Sequence, residues 1–195
     1  ESGWQAIDRW RAASNTRLTW NSMVNWESEE LRTRSGASGK ALAERVLLLG
    51  AGSLGSAMGE NLIRMGFTDI GIMDDDLLDM GNLTRHALGM EAVGHNKALA
   101  LANALNTQMP DGNAVGFACI FPPIDENIAK AIRKYDVIID CSASDAVLDA
   151  MARFDWKGEK VFVSLAMTWR AEGFLVYTAS EAAFPAVDAK ARFDE

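Results

Sequence analysis

The stretch Val46-Leu47-Leu48-Leu49-Gly50-Ala51-Gly52-Ser53-Leu54-Gly55 decides the fold of this chain. Its four apolar residues fit a fully buried strand, and they run directly into a G-x-G-x-x-G pattern that opens a helix-like segment. In such a unit the first two glycines allow a tight turn and close approach of the backbone to phosphate. The third lets the helix pack closely on the strand. The pattern therefore predicts a nucleotide-binding βαβ unit.

An acidic residue completes this unit. We expect the helix to run from Ser53 to Met65 and to end at Gly66, and a second strand to cover residues 69–73. Asp74 then stands at the carboxyl end of that strand, 19 residues after Gly55. A carboxylate there can bond to ribose hydroxyls, while the helix N-terminus attracts anionic oxygens. These residues favour an adenine nucleotide and leave NAD and ATP both open.

The remainder of the chain continues the alternation of short apolar runs and helix-length segments. Further helices are expected over 94–108, 124–134 and 145–154, and further strands over 114–119, 135–140, 161–166 and 174–177. The tail, residues 179–195, has no clear period. The predicted fold class is α/β: a doubly wound, Rossmann-like, mostly parallel sheet with helices on both faces.

The N-terminal residues differ in composition from the rest. They hold four of the six tryptophans, namely Trp4, Trp10, Trp20 and Trp26. Trp4, Ile7 and Trp10 recur at helical spacing, which favours a short helix whose aromatic face docks on the main domain. A nucleic-acid stacking platform or a partner-binding arm is the alternative. Residues 35–39 fit a flexible joint, so we expect a Trp-rich helical segment with linker at 1–39 and the nucleotide-binding domain at 40–195.

Composition excludes several classes of function. Lys plus Arg number 19 and Asp plus Glu 27, a net charge of −8 that argues against general nucleic-acid or anionic-membrane binding. The longest apolar runs are strand-sized, far short of the roughly 20 residues of a transmembrane helix. Two cysteines supply no disulfide framework or zinc motif, which suits the cytoplasm. Because the chain begins at Glu1 rather than Met, we expect a piece of a longer protein.

The loop after the second strand favours ATP over NAD. It brings Asn82 and Arg85 near the strand ends, and Lys97 stands at the start of the next predicted helix. Cleavage of a triphosphate builds negative charge that fixed cations and an amide neutralise. Hydride transfer instead needs a proton donor or acceptor beside the nicotinamide, and neither His86 nor His95 is obviously placed for it.

The motifs resemble the ThiF/MoeB family of adenylyltransferases, to which the ubiquitin-activating enzymes belong. The resemblance covers about residues 44–178 and rests on Gly50-x-Gly52-x-x-Gly55, Asp74-x-Asp76, Asn82-x-x-Arg85, Lys97 and Val137-Ile138-Ile139-Asp140. The strings G-N-L-x-R-H and D-C-S-A-S-D look most like bacterial ThiF-domain proteins in which a ubiquitin-conjugating-like domain is fused ahead of an activating domain.

The resemblance implies an activity, a cofactor set and site residues. It implies that the domain, as a homodimer, uses ATP and Mg²⁺ to adenylylate the C-terminal carboxylate of a ubiquitin-like or sulfur-carrier protein. The implied cofactor-binding residues are Gly50, Gly52, Ser53, Gly55, Asp74 and Asp76, and the implied catalytic residues are Asn82, Arg85 and Lys97. Asp74 would hold the ribose, with Asp76 beside the reacting phosphate. Asn82 and Arg85 would contact the phosphates, and Lys97 would stabilise the charge as pyrophosphate leaves.

The chain departs from the family pattern in ways that leave alternatives open. The family has a metal-associated Asp three positions after Asp140, where this chain has Ala143. Asp145 is either a substitute metal ligand or a helix N-cap. No cysteine follows Cys141, so a transthiolation nucleophile is expected beyond Glu195. A non-catalytic dimerisation or partner-binding module and an NAD-dependent oxidoreductase are the competing functions.

Overall fold

A computed structural model describes residues 3–13, 27 and 39–193 of the chain. The strands are β1 Val46–Leu49, β2 Asp69–Met73, β3 Asn113–Phe117, β4 Val137–Asp140, β5 Lys160–Met167 and β6 Phe174–Glu181. The helices are α1 Gly3–Ala13, α2 Gly39–Leu42, α3 Ser53–Met65, α4 Lys97–Asn106, α5 Glu126–Ile132, α6 Asp145–Arg153 and α7 Ala186–Phe193. Two 3-10 helices, Met80–Asn82 and Met90–Ala92, lie between β2 and α4.

The six strands form one sheet in the order β3-β2-β1-β4-β5-β6. Every neighbouring pair is parallel except β5 and β6, which are antiparallel. The chain moves outward from β1 to β2 and β3, and then returns to add β4 on the other side of β1. This reversal places a crevice at the carboxyl ends of β1 and β4, the position where doubly wound folds bind ligands.

Helices cover both faces of the sheet, which explains why β1 is apolar at every position. Val46 and Leu48 pack in a core cluster with α3 and α4, whereas Leu47 and Leu49 pack in a second cluster with α5, α6 and α7. All four residues are at most 1% exposed. Successive side chains of a strand point to opposite faces, so a strand buried on both faces has no polar position. The predicted fold class is confirmed.

Local signals set several helix ends. Gly66 ends α3 as predicted, with a left-handed backbone (φ 101°) that glycine adopts without strain. The helix expected over 94–108 starts later, at Lys97, because the side chain of Asn96 accepts a hydrogen bond from Leu99 N at 3.0 Å and caps it. The sequence of the tail has no clear period and no element was predicted there, yet α7 forms within it, with Ala189 fully buried.

The N-terminal helix is confirmed, but its predicted docking is not. Helix α1 spans Gly3–Ala13, and Trp4 and Ile7 on it are 76% and 44% exposed. These two side chains therefore do not form the predicted docked face. Trp20, Trp26 and most of the predicted joint fall outside the described residues, and the domain division at residue 39 stays a prediction. Within the described ranges, no helix is long and apolar enough to cross a membrane.

Gly55 controls how closely α3 packs on β1. A Cβ at this position would lie 1.9 Å from the carbonyl oxygen of Gly50, a backbone atom that cannot move aside. A Cβ on Gly52 would meet no atom within 4 Å. The two glycines of the same loop thus differ sharply, since one is required by packing and the other faces open space.

We predict that Gly55→Ala lowers the free energy of unfolding by about 3 kcal/mol, or prevents folding, because the methyl group overpacks the strand–helix junction. For a domain of this size the melting temperature would fall by about 6–12 °C. Gly52→Ala is the matched control and should melt within about 3 °C of the wild type. Equal melting temperatures for both variants, measured by circular dichroism, would contradict this account of the junction.

Candidate functional site

A cleft opens at the crevice between the carboxyl ends of β1, β2 and β4. Its lining includes Gly50 and Gly52 after β1, Asp74, Asp75 and Asp76 after β2, Lys97 at the start of α4, and Ser142 after β4. Apolar residues, among them Leu49, Met73 and Ile120, form the rest of the wall. Residues that are far apart in the sequence thus meet because parallel strands end at the same edge of the sheet.

The Asp74 carboxylate joins the glycine-rich loop to the end of β2. Its Oδ2 accepts a hydrogen bond from Ala51 N at 2.7 Å, and its Oδ1 accepts one from Asp76 N at 2.9 Å. Both donors are backbone amides, so the side chain fixes two loops at once. A carboxylate oxygen has more than one lone-pair direction, and each oxygen retains capacity to accept a bond from a ribose hydroxyl.

Lys97 carries a fixed positive charge at the cleft. The residue is 9% exposed, and its Nζ lies 2.7 Å from Oδ2 of Asp76, whose side chain is 67% exposed. A lysine at the start of a helix is opposed by the helix dipole, and a buried ammonium needs an anionic partner. Asp76 supplies that partner from the solvent side. An anionic ligand entering the cleft would find the cation already in position.

The N-terminus of α3 is the second anion-attracting feature of the cleft. Gly52 occupies the N-cap position, and no side chain caps the helix there. The first amides of a helix lack intrahelical acceptors and carry partial positive charge. Because a Cβ at Gly52 would meet only open space, the backbone here can be approached closely, as a phosphate-binding loop requires.

Asn96 contributes to the site although the sequence motifs do not mark it. Besides capping α4, its Nδ2 donates to the carbonyl oxygens of Asp74 at 2.9 Å and Asp76 at 3.2 Å. The amide of Lys97 also donates to the Asp76 carbonyl, at 2.9 Å. The acidic loop and the start of α4 therefore form one bonded unit. The available signal was an Asn directly before a helix start.

Asn82 and Arg85 do not line the cleft. Asn82 ends a 3-10 helix, where its Oδ1 accepts a bond from Asp79 N at 2.9 Å and Asp79 in turn caps Gly81 N at 2.8 Å. Arg85 is exposed and makes no salt bridge with the described residues. Of the predicted site residues, the structure brings together Gly50, Gly52, Asp74, Asp76 and Lys97 at the cleft wall, whereas Ser53, Gly55, Asn82, Arg85 and Asp145 lie outside that lining.

Asp145 does not cap α6, so that interpretation was wrong. Ser144 holds the N-cap position, and Asp145 is the exposed first residue of the helix. In the described part of the chain, one acidic group has the geometry to hold a cation: carboxylate oxygens of Asp74, Asp75 and Asp76 lie within 4.8 Å of one another. Hard oxygen donors of this kind suit Mg²⁺.

Asp140 organises the wall of the cleft from within the core. It is 1% exposed, and burial raises the pKa of its carboxyl group above the usual value. Three donors oppose this effect: Ser142 N at 3.0 Å, Ser142 Oγ at 2.6 Å and Ser164 Oγ at 2.8 Å. These bonds hold Ser142 against the glycine-rich loop, where a Cβ on Gly50 would lie 3.1 Å from its backbone.

Neither cysteine is activated as a nucleophile. Cys141 is 8% exposed, and burial together with nearby Asp140 raises the pKa of its thiol to about 12. The pKa of Cys119 is raised as well, by burial and by the charges of Asp75 and Asp125. Both thiols are therefore protonated at neutral pH, and thiolate is the reactive form. Cys141 instead packs as a small apolar side chain in the core cluster that includes α3 and α4.

Comparison with known proteins identifies the family. The family model described as ThiF family matches residues 31–182, well over half of the chain. The chain belongs to the ThiF family. It is 51% identical over 187 residues to the ATP-dependent ubiquitin transferase-like protein Cap2 of Enterobacter hormaechei, covering 96% of this chain and 31% of that protein.

More distant relatives agree with this assignment. The adenylyltransferase and sulfurtransferase UBA4 of Debaryomyces hansenii is 35% identical over 108 residues, covering 55% of this chain and 24% of that protein. The ThiF domain thus spans about a third of the Cap2 relative and a quarter of UBA4.

Solved structures confirm the fold. Escherichia coli MccB with ATP matches with a TM-score of 0.56 at 18% identity, over 66% of this chain and 38% of MccB. The E. coli tRNA N6-threonylcarbamoyladenosine dehydratase TcdA matches with a TM-score of 0.53 at 22% identity, over 63% and 52% of the two chains.

We predict that Asp74→Asn destabilises the ThiF domain in the absence of any ligand. The amide group can accept at one oxygen only, so its NH₂ faces one of the two backbone donors, Ala51 N or Asp76 N. Loss of a charge-assisted bond should cost about 2 kcal/mol, a fall in melting temperature of about 4–8 °C. The exposed neighbour Asp75 provides the control, Asp75→Asn, which should melt like the wild type. An Asp74→Asn protein as stable as this control would show that the bridge is dispensable.

Proposed function

We propose that this ThiF domain binds ATP and Mg²⁺ and adenylylates the C-terminal carboxylate of a ubiquitin-like or related carrier protein. The bacterial setting would be a ubiquitin-like conjugation system, and a sulfur-transfer system is the second possibility within the same chemistry. The 51% identity to Cap2 over 96% of the chain supports the first setting, and the likeness to UBA4 the second. We further propose that the domain acts as a cytoplasmic homodimer, without nucleic-acid or membrane partners.

The observation that carries the proposal is the position of Lys97. A buried lysine stands at the cleft beside the uncapped N-terminus of α3 and the open backbone of Gly52. A triphosphate in this cleft would meet helix amides at one side and an ammonium at the other, both fixed before it arrives. Such preorganised positive charge is what stabilises phosphoryl oxygens as charge develops in the transition state.

The reaction needs no general base from this chain. The carrier carboxylate is ionised at neutral pH, and one of its oxygens attacks the α-phosphorus of ATP. The new bond is the acyl phosphate O–P bond, and the bond from that phosphorus to the bridging oxygen of the β-phosphate breaks. Pyrophosphate leaves with the electron pair. We assign to Lys97 the stabilisation of this leaving charge.

The remaining predicted residues have complementary roles in this proposal. Asp74 accepts bonds from the ribose hydroxyls, and the loop Gly50–Gly55 lies along the phosphates. Asp76 holds Lys97 in place beside the reacting phosphate. Arg85 is exposed on the loop that follows β2 and makes no salt bridge within the described part of the chain. We assign to Arg85 and Asn82 the contacts with the phosphate oxygens. Membership in the ThiF family argues against the NAD-dependent alternative.

Magnesium fits the acidic group at the end of β2. When bound, it would neutralise charge on the phosphate oxygens. Asp75 and Asp76 are exposed and would hold it together with the phosphates, since Mg²⁺ usually takes one or two carboxylates and substrate oxygens. Asp145 stays only a prediction as a metal ligand, because the acidic group within 4.8 Å does not include it.

We predict that Lys97→Ala reduces carboxylate-dependent exchange of pyrophosphate into ATP by about 100-fold or more, as removal of a transition-state donor typically does. Lys130→Ala, which removes an exposed lysine on α5, is the matched control and should exchange at the wild-type rate. Circular dichroism should show that both variants are folded. Undiminished exchange in a folded Lys97→Ala protein would show that Lys97 does not stabilise the leaving pyrophosphate.

The wild type alone separates the competing functions. A non-catalytic ThiF module predicts no exchange with any carrier, even where ATP binds. An oxidoreductase predicts that NADH raises the melting temperature and ATP with Mg²⁺ does not, since a ligand that binds only the folded state stabilises it.

A further inference from the structure

His86 links the loop after β2 to the glycine-rich loop. Its Nε2 lies 2.6 Å from the carbonyl oxygen of Ala51, 35 residues earlier in the chain. Its Nδ1 accepts a hydrogen bond from Leu88 N at 3.1 Å. The imidazole is half-buried, and it directly follows the exposed Arg85.

The two contacts fix the tautomer of the ring. A backbone amide can only donate, so the nitrogen that faces Leu88 N carries no proton. In a neutral imidazole the proton is then on Nε2, which donates to the Ala51 carbonyl. In this arrangement His86 donates through Nε2 and accepts through Nδ1, so the ring joins the two loops.

The two peptide groups that flank Ala51 are each held by a side chain. The Ala51 N–H donates to Asp74 at 2.7 Å, and the Ala51 carbonyl oxygen accepts from His86 at 2.6 Å. A third contact supports the same junction, because Ala87 N donates to Oγ of Ser56 at 3.2 Å on the first turns of α3. Ser56 is fully buried. The segment 86–87 is thus bonded to both the glycine-rich loop and the helix that follows it.

We propose that His86 is a positioning residue for nucleotide binding, which acts by orienting the Ala51–Gly52 peptide group and with it the N–H of Gly52 in the glycine-rich loop. This inference rests on the proposed ATP-binding function. Asp74 fixes the Gly50–Ala51 peptide group through the Ala51 N–H, and His86 fixes the next peptide group through the Ala51 carbonyl oxygen. The same backbone connection sets the position of Arg85 relative to the loop, so the loop and the proposed phosphate-binding arginine are placed together.

Two substitutions distinguish the two hydrogen bonds that the His86 imidazole makes. The amide nitrogen of Gln reaches about as far as Nε2 of His, so His86→Gln keeps a donor toward the Ala51 carbonyl and loses the acceptor for Leu88 N. The shorter His86→Asn keeps an oxygen near the Nδ1 position and loses the donor to Ala51. Each variant loses one hydrogen bond, so we expect similar melting temperatures for the two. His95→Asn is the control, since His95 is exposed and does not line the cleft.

The test measures the Kd of ATP with Mg²⁺ for the full chain by calorimetry. We expect His86→Asn to raise the Kd about fivefold, which corresponds to the net contribution of one hydrogen bond, and His86→Gln and His95→Asn to bind like the wild type. Without nucleotide, the amides of residues 50–56 should exchange hydrogen for deuterium faster in His86→Asn than in His86→Gln.

Three results would overturn the inference. Wild-type affinity and unchanged amide exchange in His86→Asn would show that the loop does not need the ring. Equal weakening in both variants would assign the effect to general destabilisation. If the wild type itself binds no ATP, both the proposed function and the nucleotide role of His86 are wrong. This outcome is distinguishable from the other two because it is measured on the wild type without any variant.

Discussion

The hydrogen bond from Ala51 N to the Asp74 carboxylate is the interaction on which the rest of the site depends. At the end of β1 the sheet still supplies an acceptor for Gly50 N, the Met73 carbonyl at 2.9 Å, but the next amide has no strand partner. Asp74 takes its place at 2.7 Å. The same carboxylate holds Asp76 N, and Asp76 in turn holds Lys97. One side chain thus connects the glycine-rich loop, the acidic loop and the buried cation.

The long connection from β2 to α4 is kept close to the sheet by bonds at its base. Leu78 N donates to the His95 carbonyl and Gly94 N donates to the Leu78 carbonyl, each at 2.8 Å. Leu78 itself is 1% exposed and packs with α3 and α4. The loop therefore leaves and rejoins the sheet at one point, and its middle is also bonded to the glycine-rich loop and α3 through residues 86–87. Asn82 and Arg85 lie outside the cleft lining. Long ordered loops of this kind are usually functional.

Sequence reasoning recovered the elements whose signals are local. Strand β1 and helix α3 match their predicted bounds because a continuous apolar run, a glycine turn and a C-terminal glycine mark them. Helix α7 was not predicted because the side chains at its buried positions, Ala186 and Ala189, are too small to give a clear apolar period. The exposure of Trp4 was unpredictable for a related reason, since periodicity identifies an apolar face without identifying its partner.

The residues of the candidate site also fall into those that could be chosen from the sequence and those that could not. Gly50, Gly52 and Asp74 could be chosen in advance because residues at parallel strand ends converge whatever the details of the loops. Asp76 and Lys97 were chosen because the resemblance to the ThiF/MoeB family implied them. The contacts of His86 and Asn96 could not, because they join residues 35 and 22 positions apart through loop conformations that no periodicity encodes. Asp145 failed as a cap because the helix starts at Asp145 itself, one residue earlier than a cap at that position requires.

The most direct test of this account is a crystal structure of the domain with Mg²⁺ and a non-hydrolysable ATP analogue. The account predicts the ribose at Asp74, the phosphates against the backbone of Gly50–Gly52 and the N-terminus of α3, and the Lys97 ammonium within hydrogen-bond distance of a phosphate oxygen. A nucleotide bound elsewhere, or phosphates directed away from Lys97 with its pair to Asp76 undisturbed, would contradict it.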